Sequence, residues 1–320
     1  MFHSDVLIIG GGPAGSACAW RLKRAGAACI IVDKQPFPRF KPCAGWITPR
    51  VLADLQIQPE EYPHGIKSFD ALYIRLYGIP LKIRTRQYAI RRVEFDQWLL
   101  RRSGADFHVH TVRKIEQTIH GYVIDDEYQV KYLVGAGGTA CPVYHALFKP
   151  YHPRQSEHQV VALEAEFPYA YTDDRCYLWF MENGLSGYSW YVPKADGFLN
   201  VGVGGMSERL RAKNDSIQRH WDWLVARLDR FGLVKGGCPP PFAHTYYLRQ
   251  QELAVQRENA YLVGDSAGLA TLDMGEGIGP AIQSGLRAAE AILGGTPYLL
   301  DGIPRYSAST ILFPSKHRRA

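Results

Sequence analysis

The sequence predicts an α/β chain of two domains, one built on a parallel sheet wound with helices and the other on an antiparallel sheet. Three observations predict it. Near the start, the apolar run Asp5–Ile9 leads into Gly10, Gly12 and Gly15 and then into a helix. Near the other end, Tyr261-Leu262-Val263 stops at a second turn, Gly264-Asp265. Between them, residues 158–204 are rich in Val, Tyr, Trp and Phe with turn signals in between, the composition of antiparallel strands.

Taken in order, Val6–Ile9 is continuously apolar, as a strand buried on both faces must be. Pro13 suits a first helical turn, Ala14–Arg24 is the helix, and Gly26 ends it. Residues 28–32 form the next strand, closing at Asp33. In 34–50, Pro36, Pro38, Pro42 and Pro49 exclude regular structure over most of the segment, and an ordered loop of that length is usually functional. Residues 68–90 read as a hairpin turning at Gly78-Ile79-Pro80, 94–102 as a helix, and 107–135 as short strands. In 215–231, Ile217, Trp221, Leu224, Val225, Leu228 and Phe231 fall on one helical face, ended by Gly232. Pro239–Pro241 mark a loop. A last helix runs from Pro280 to Leu293 and stops at Gly294-Gly295. The expected division is 1–65, 91–150 and 251–296 in the first domain, 66–90 and 151–250 in the second, and 297–320 as a tail.

The 320 residues are 46% hydrophobic, enough for one large core or two modest ones. Lys and Arg number 37 against 31 Asp and Glu, a mild excess of +6 without a basic stripe, so no nucleic-acid partner is expected. The cations between Lys82 and Arg102 read as a solvated face. The tail Lys316-His317-Arg318-Arg319 reads as a soluble terminus, the one segment suited to a peripheral membrane contact. Cysteines 18, 29, 43, 141, 176 and 238 show neither metal-ligand spacing nor a paired framework, and read as reduced thiols of a cytoplasmic protein. The N-terminal apolar run lacks a preceding basic stretch and reads as a strand, not a signal peptide. No apolar run is long enough to cross a bilayer. The histidines are read as forming neither an HxH nor an HExxH metal pattern, and no metal is expected.

The glycine turns carry the chemistry. In Gly10-x-Gly12-x-x-Gly15 the first glycine makes the turn, the second admits a pyrophosphate, and the third lets helix and strand pack closely. Pro13 and Ala14 then open a helix whose positive end faces the phosphates. Asp33, followed by Lys34, stands where a carboxylate accepts bonds from ribose hydroxyls. Asp265 at the end of its strand is placed to accept a bond from a ribityl hydroxyl. Gly275, Gly277 and Ile278 lead into a helix start, where free N–H groups stabilise negative charge on a reduced flavin ring. The competing reading makes Asp265 a helix cap and the glycines plain turns. Both ends gripping one long ligand point to FAD.

A strand, GxGxxG, helix, strand and acid, with a late strand ending Gly-Asp, resembles the glutathione-reductase-like flavoproteins, in the branch shared with aromatic hydroxylases and flavin halogenases. The resemblance implies a Rossmann-type FAD domain plus an antiparallel β-sheet substrate domain. It also implies dinucleotide contacts at Arg92, which precedes Val93-Glu94-Phe95-Asp96, and at Val112. Tyr188-Ser189-Trp190-Tyr191-Val192-Pro193 followed by Gly202-Val203-Gly204 resembles the YxWxFP…GxG motif of geranylgeranyl reductases, with Val192 in place of Phe. Lys41-Pro42-Cys43-Ala44-Gly45 resembles that family's cysteine loop, with Ala44 where Gly is common. By this resemblance Ala44 and Gly45 border the flavin, Tyr188, Trp190 and Pro193 line a slot for a prenyl chain, and Cys43 is a proton donor or a small apolar wall. Residues 297–320 stand where both families carry a longer C-terminal portion.

The function expected is reduction of isoprenoid carbon–carbon double bonds, with electrons from NAD(P)H or a reduced carrier protein. The alternatives are a flavin monooxygenase or halogenase, and a non-catalytic flavin-bound sensor. A halogenase needs a lysine between flavin and substrate, for which Lys41 and Lys194 are the candidates. Gly135-Ala136-Gly137-Gly138-Thr139-Ala140 approximates a second dinucleotide turn, but Pro142 follows at once. It reads as the chain returning through the FAD domain.

Overall fold

The computed structural model describes residues 1–251, 253–308 and 311. In chain order, strand β1 (Phe2–Ile9) leads through helix α1 (Pro13–Arg24) to β2 (Cys29–Asp33). There follow β3 (Trp46–Ile47), α2 (Pro49–Asp54), β4 (Lys67–Leu76), β5 (Ile79–Ala89) and α3 (Arg92–Ser103). Then come β6 (Asp106–Val109), β7 (Ile115–Thr118), β8 (Gly121–Ile124) and β9 (Tyr128–Gly135). The rest comprises β10 (Gln159–Pro168), β11 (Cys176–Phe180), β12 (Gly187–Pro193), β13 (Phe198–Met206), α4 (Ser207–Ala212), α5 (Ile217–Arg230), β14 (Phe242–Tyr247), β15 (Gln256–Arg257), β16 (Ala260–Leu262) and α6 (Ile278–Gly294).

The chain divides into two compact units. The first comprises Met1–Arg39, Val93–Arg154 and Tyr247–Ser307, the second Phe40–Arg92 and Gln155–Tyr246. Residues 40–65, grouped with the first domain on sequence, therefore lie in the second unit. The physical reason is β3, whose Trp46 and Ile47 pair with Ala89 and Tyr88 of β5.

In the first unit the sheet runs β15-β16-β9-β1-β2-β6, with β7 and β8 joined to β9. The β16–β9, β9–β1, β1–β2 and β2–β6 pairs are all parallel. Val6, Leu7, Ile8, Ile31 and Val32 are wholly buried, because α1 and α6 pack against each other beside these strands. The α/β character expected from the alternation of apolar runs and helices is thus realised.

In the second unit the order is β14-β10-β13-β12-β11-β4-β5-β3. The β10–β13, β13–β12, β12–β11, β4–β5 and β5–β3 pairs are antiparallel, whereas β4 lies parallel to β11, with Leu72, Ile74 and Leu76 in register with Cys176, Leu178 and Phe180. The hairpin turn is Tyr77-Gly78, not 78–80. Leu76 pairs with Ile79, and both turn residues have positive φ (48° and 84°), as a two-residue turn matching strand twist requires. Helix α2 was not anticipated among the prolines, yet Pro49 occupies its first turn, where a missing N–H costs nothing. Helix α5 buries Trp221, Leu224 and Leu228 against Val201, Val203 and Tyr191. Phe231, placed on that face by periodicity, is instead 50% exposed, because it is the residue at which the helix ends.

Candidate functional site

In the first unit, Gly10 leaves β1 with its N–H bonded to Val32 O at 2.7 Å, and Gly12 caps α1. The cap has no side-chain bond and the first turn no acid, so no carboxylate of the helix offsets the partial positive charge of its N–H groups. A Cβ on Gly15 would lie 2.0 Å from Gly10 O, so helix and turn meet at a distance only glycine permits. Pro13 and Ala14 are buried at the helix start. The Asp33 carboxylate accepts the Gly11 N–H at 2.9 Å and the Gln35 N–H at 3.2 Å, thereby bracing the turn. Lys34 is exposed and Val112 half-buried against the core.

Arg39 was not anticipated. Its guanidinium lies 3.8 Å from Asp33 and 3.9 Å from the fully buried Asp96, stacks on Phe37, and passes 3.5 Å from where a Gly12 Cβ would stand. Its Nε is buried without a hydrogen-bond partner.

The second turn is bound to a third glycine segment. Gly264 N–H donates to Ser284 Oγ at 2.9 Å, and Ser266 Oγ accepts the Gly138 N–H at 3.0 Å. Arg154 donates to Thr139 O and Ser266 O, both at 2.6 Å, tying the two segments together. Arg154 lies in no motif and left no signal in the sequence; Ser266 stands in the second turn, but its bonds to Gly138 and Arg154 were not anticipated. The Asp265 carboxylate comes within 3.4 Å of the Cβ position of Gly277, the residue capping α6, whose first turn has no side-chain cap and no acid. The preceding loop, including Gly275, is pinned by Thr271 Oγ1 accepting the Glu276 N–H at 2.9 Å. Ile278 is buried at the start of α6. An uncapped helix end, a glycine cradle and an orphaned guanidinium N–H fit a dinucleotide.

In the second unit the sheet has two unlike faces. Leu163, Val201, Val203, Tyr191 and Trp179 face α5. The alternate residues make the opposite face, and register arranges them in rows. One row runs Glu164, Gly202, Trp190, Leu178, Ile74, Leu81 across β10, β13, β12, β11, β4 and β5. The next contains Gly204, Tyr188, Phe180, Leu76 and Ile79. The face is therefore polar at β10, aromatic in the middle and aliphatic at the hairpin, where Leu76, Ile79 and Leu81 are exposed. Tyr188 and Trp190 share it, as expected. Pro193 does not: an odd offset from Trp190 puts it with Tyr191 on the face toward α5, which corrects its assignment to the slot.

At the polar end the contacts are dense. Lys194 is fully buried, its Nζ donating to Glu166 Oε2 at 2.5 Å and Ile90 O at 2.8 Å. Arg91 bonds the other Glu166 oxygen at 3.0 Å. Trp190 Nε1 donates to Asn200 Oδ1 at 2.7 Å, and Asn200 Nδ2 to Cys43 O at 3.4 Å. Cys43 Sγ accepts the Gly45 N–H at 3.4 Å, while the Gly45 carbonyl accepts the Ile90 N–H at 2.8 Å. Ala44 between them is half-buried. Burial pushes the Glu164 carboxyl up to about 7, against the pull of the Lys194 ammonium, the Cys43 N–H and the Asn200 amide. Arg92 is buried at the start of α3. With Lys41 it adds to the burial that drives His244 down to about 3. Neither Glu164, Asn200 nor His244 belongs to a sequence motif.

Among the described residues no group of three His, Cys, Asp or Glu is placed to hold a metal. His108-Val109-His110 does have the HxH spacing, which corrects the reading that none is present, but each ring is engaged, with Tyr128 at 3.0 Å and Asp125 at 2.7 Å. No described helix is long and apolar enough to cross a membrane. The basic tail 316–319 lies outside the described residues.

Residues 5–90 match the family model for FAD dependent oxidoreductases. An uncharacterised protein of Methanosarcina barkeri is 30% identical, over 90% of this chain and 74% of its own. A menaquinone reductase of Mycobacterium tuberculosis is 26% identical over 90% and 76%. A geranylgeranyl diphosphate reductase of Rhodobacter capsulatus is 26% identical over 94% and 77%. Among solved structures, a geranylgeranyl bacteriochlorophyll reductase-like protein of Thermoplasma acidophilum superposes with a TM-score of 0.77, at 22% identity over 93% of this chain and 81% of that one. A flavin-dependent brominase gives 0.70 at 18% identity, over 94% and 80%. These two likenesses speak to the fold.

Proposed function

This chain belongs to the FAD-dependent oxidoreductases, and from that premise we propose that it reduces carbon–carbon double bonds of an isoprenoid. FAD, once reduced, supplies a hydride. The residues suited to hold it are Gly10, Gly12 and Gly15 with the α1 N-terminus, Asp33 and Arg39, and Asp265 with the α6 N-terminus. Arg92, Val112, Ala44 and Gly45 remain assigned to it by resemblance.

The single observation that carries the substrate reading is the graded sheet face. From Trp190 the aliphatic row passes over Leu178 and Ile74 to Leu81, three strand spacings or about 14 Å. Trp190 and Leu178 are already buried, so an apolar chain laid along the open end of the row, over the half-buried Ile74 and the exposed Leu76, Ile79 and Leu81, loses its water there, and has no polar group that needs a partner. The aromatic rings of Trp190 and Tyr188 hold the chain where the aliphatic and polar ends meet. An alkene offers no charge to grip, so orientation supplies most of the effect. We assign to Cys43 Sγ–H the proton for the second alkene carbon. The names of the two reductase relatives, one acting on a quinone and one on a prenyl diphosphate, support the same class.

The monooxygenase or halogenase reading finds less support. Lys194 is already neutralised by Glu166 and held by Ile90 O, so its ammonium is not available to a halide species. The test is turnover of reduced protein with prenyl lipids in the absence of oxygen. The expected product gains hydrogens in pairs. Flavin that stays reduced with every prenyl lipid, yet is oxidised once oxygen is admitted, would overturn the proposal. Comparing NADH, NADPH and a reduced ferredoxin in the same assay identifies the electron donor.

A further inference from the structure

The hairpin of β4 and β5 ends in an apolar tip that stands in water. Leu76, Tyr77, Ile79 and Leu81 are all exposed, Tyr77 by 72% and Ile79 by 63%, and the exposed Pro80 lies among them. Register sorts the two strands into unlike faces. Ile74 pairs with Leu81 and Leu76 with Ile79 on one face; Arg75 pairs with Pro80, Tyr73 with Lys82 and Ala71 with Arg84 on the other. From Ala71 to Arg86 the segment carries four cations, Arg75, Lys82, Arg84 and Arg86, and no acid. Asp70, just outside it, answers Arg86 at 3.4 Å. Arg75 Nε donates to Gly78 O at 3.2 Å, which brings the guanidinium to the turn, and the Lys82 ammonium lies 5.2 Å over the Tyr73 ring. Lysine and proline on an outer strand also discourage pairing with another sheet. That explains Pro80 and the cations of β5, but not the large apolar side chains kept exposed beside them.

We propose that this hairpin docks the protein on a lipid bilayer with anionic headgroups, the apolar tip entering the interface and the cations meeting the phosphates. Elements of this kind bury their apolar side about 5–10 Å deep. A strand rises about 3.4 Å per residue, so with the hairpin upright Lys82 stands about 10 Å behind Ile79, at the level of the headgroups. Arg84 stays within a Debye length of them. Tyr77 at the tip has the apolar body and polar end that the interface favours. Docking goes beyond the isoprenoid reading and does not need it. Where that reading holds, docking also gives the source of the substrate: a prenyl tail passes from lipid onto Leu81 and Ile74, and then to Leu178 and Trp190.

The test uses the FAD-loaded chain without substrate or turnover, so its failure and that of the isoprenoid reading are separate. Vesicles of phosphatidylcholine and phosphatidylglycerol in equal parts are expected to sediment the protein, and phosphatidylcholine alone to bind it about tenfold less. Ile79→Asp is expected to weaken binding about tenfold. Lys82→Gln is expected to weaken it about fivefold, the share of one cation. Ile119→Asp, at a 94% exposed residue between β7 and β8, serves as the control and is expected to change nothing. Tyr77→Trp adds a reporter whose emission is expected to shift to the blue on the anionic vesicles and to be quenched by brominated acyl chains. Wild type that ignores anionic vesicles, binding that survives Ile79→Asp, or an equal loss with Ile119→Asp overturns the proposal. So does a dimer that Ile79→Asp dissolves, since a second copy is then the occupant. Should Ile79→Asp not fold, the reporter decides: emission unmoved by vesicles overturns the proposal.

Discussion

Gly202 lies beneath the indole of Trp190, so close that a Cβ at position 202 would stand 2.2 Å from Trp190 Cζ2. The two residues pair across β13 and β12, so the absent side chain of one is the seat of the other. Seated there, the ring directs its Nε1–H to Asn200, two residues along from Gly202. Gly202→Ala is expected to lift the ring, break that bond and cost about 2 kcal/mol of stability. Urea unfolding and the tryptophan fluorescence maximum check it. Unchanged values in both would show that the ring does not need this seat.

Arg39 tests the dinucleotide cradle away from the glycines. Arg39→Met keeps a stem to pack on Phe37 and removes the donors beside Gly12. Losing a charge-assisted hydrogen bond is worth roughly 2 kcal/mol, so flavin affinity should fall about thirtyfold. Titration of the apoprotein with FAD measures it. Equal affinity would remove Arg39 from the site.

Lys194→Met strips the ammonium from a buried pair and leaves Glu166 with Arg91 alone. A loss of about 3 kcal/mol is expected, with partial recovery in the double variant Lys194→Met, Glu166→Gln, where the buried carboxylate is gone and only the partly exposed Arg91 loses its ion-pair partner. Additive effects in the cycle would contradict the coupling.

Stability should depend on pH with two opposed contributions. Glu164 keeps its proton in the folded protein up to about pH 7, whereas the unfolded chain releases it near 4.5. Its contribution is therefore largest below 4.5, declines between 4.5 and 7, and is level above. The decline amounts to about 3 kcal/mol at 1.36 kcal/mol per pH unit. His244 has the other sign. Held down to about 3 in the fold against 6.5 outside it, it contributes stability above 6.5 that is lost as the pH falls toward 3. Relative to wild type, Glu164→Gln should gain stability as the pH rises from 5 to 8, and His244→Gln should gain it as the pH falls from 6.5 to 4. Denaturation curves that stay parallel across these intervals would refute both.

The sequence alone determined what consecutive residues decide. The glycine turns, the acid closing β2 and the strand ending at Gly264-Asp265 are legible because each is a local conformational demand: a tight turn, an apolar run, a helix start. The aromatic strand Tyr188–Trp190 and the cysteine loop were singled out only through their resemblance to a family's motifs. The ordering of β14-β10-β13-β12-β11-β4-β5-β3 was beyond reach, since no period in the chain announces that Ile74, Leu178, Trp190, Gly202 and Glu164 will share a row. For the same reason Arg39, Arg154, Asn200 and the Lys194–Glu166 pair left no signal, and Pro193 was put on the wrong face. Their roles come from partners far along the chain. Tertiary structure decided them by burying charges that water would otherwise have satisfied, so that each had to find a mate within the fold.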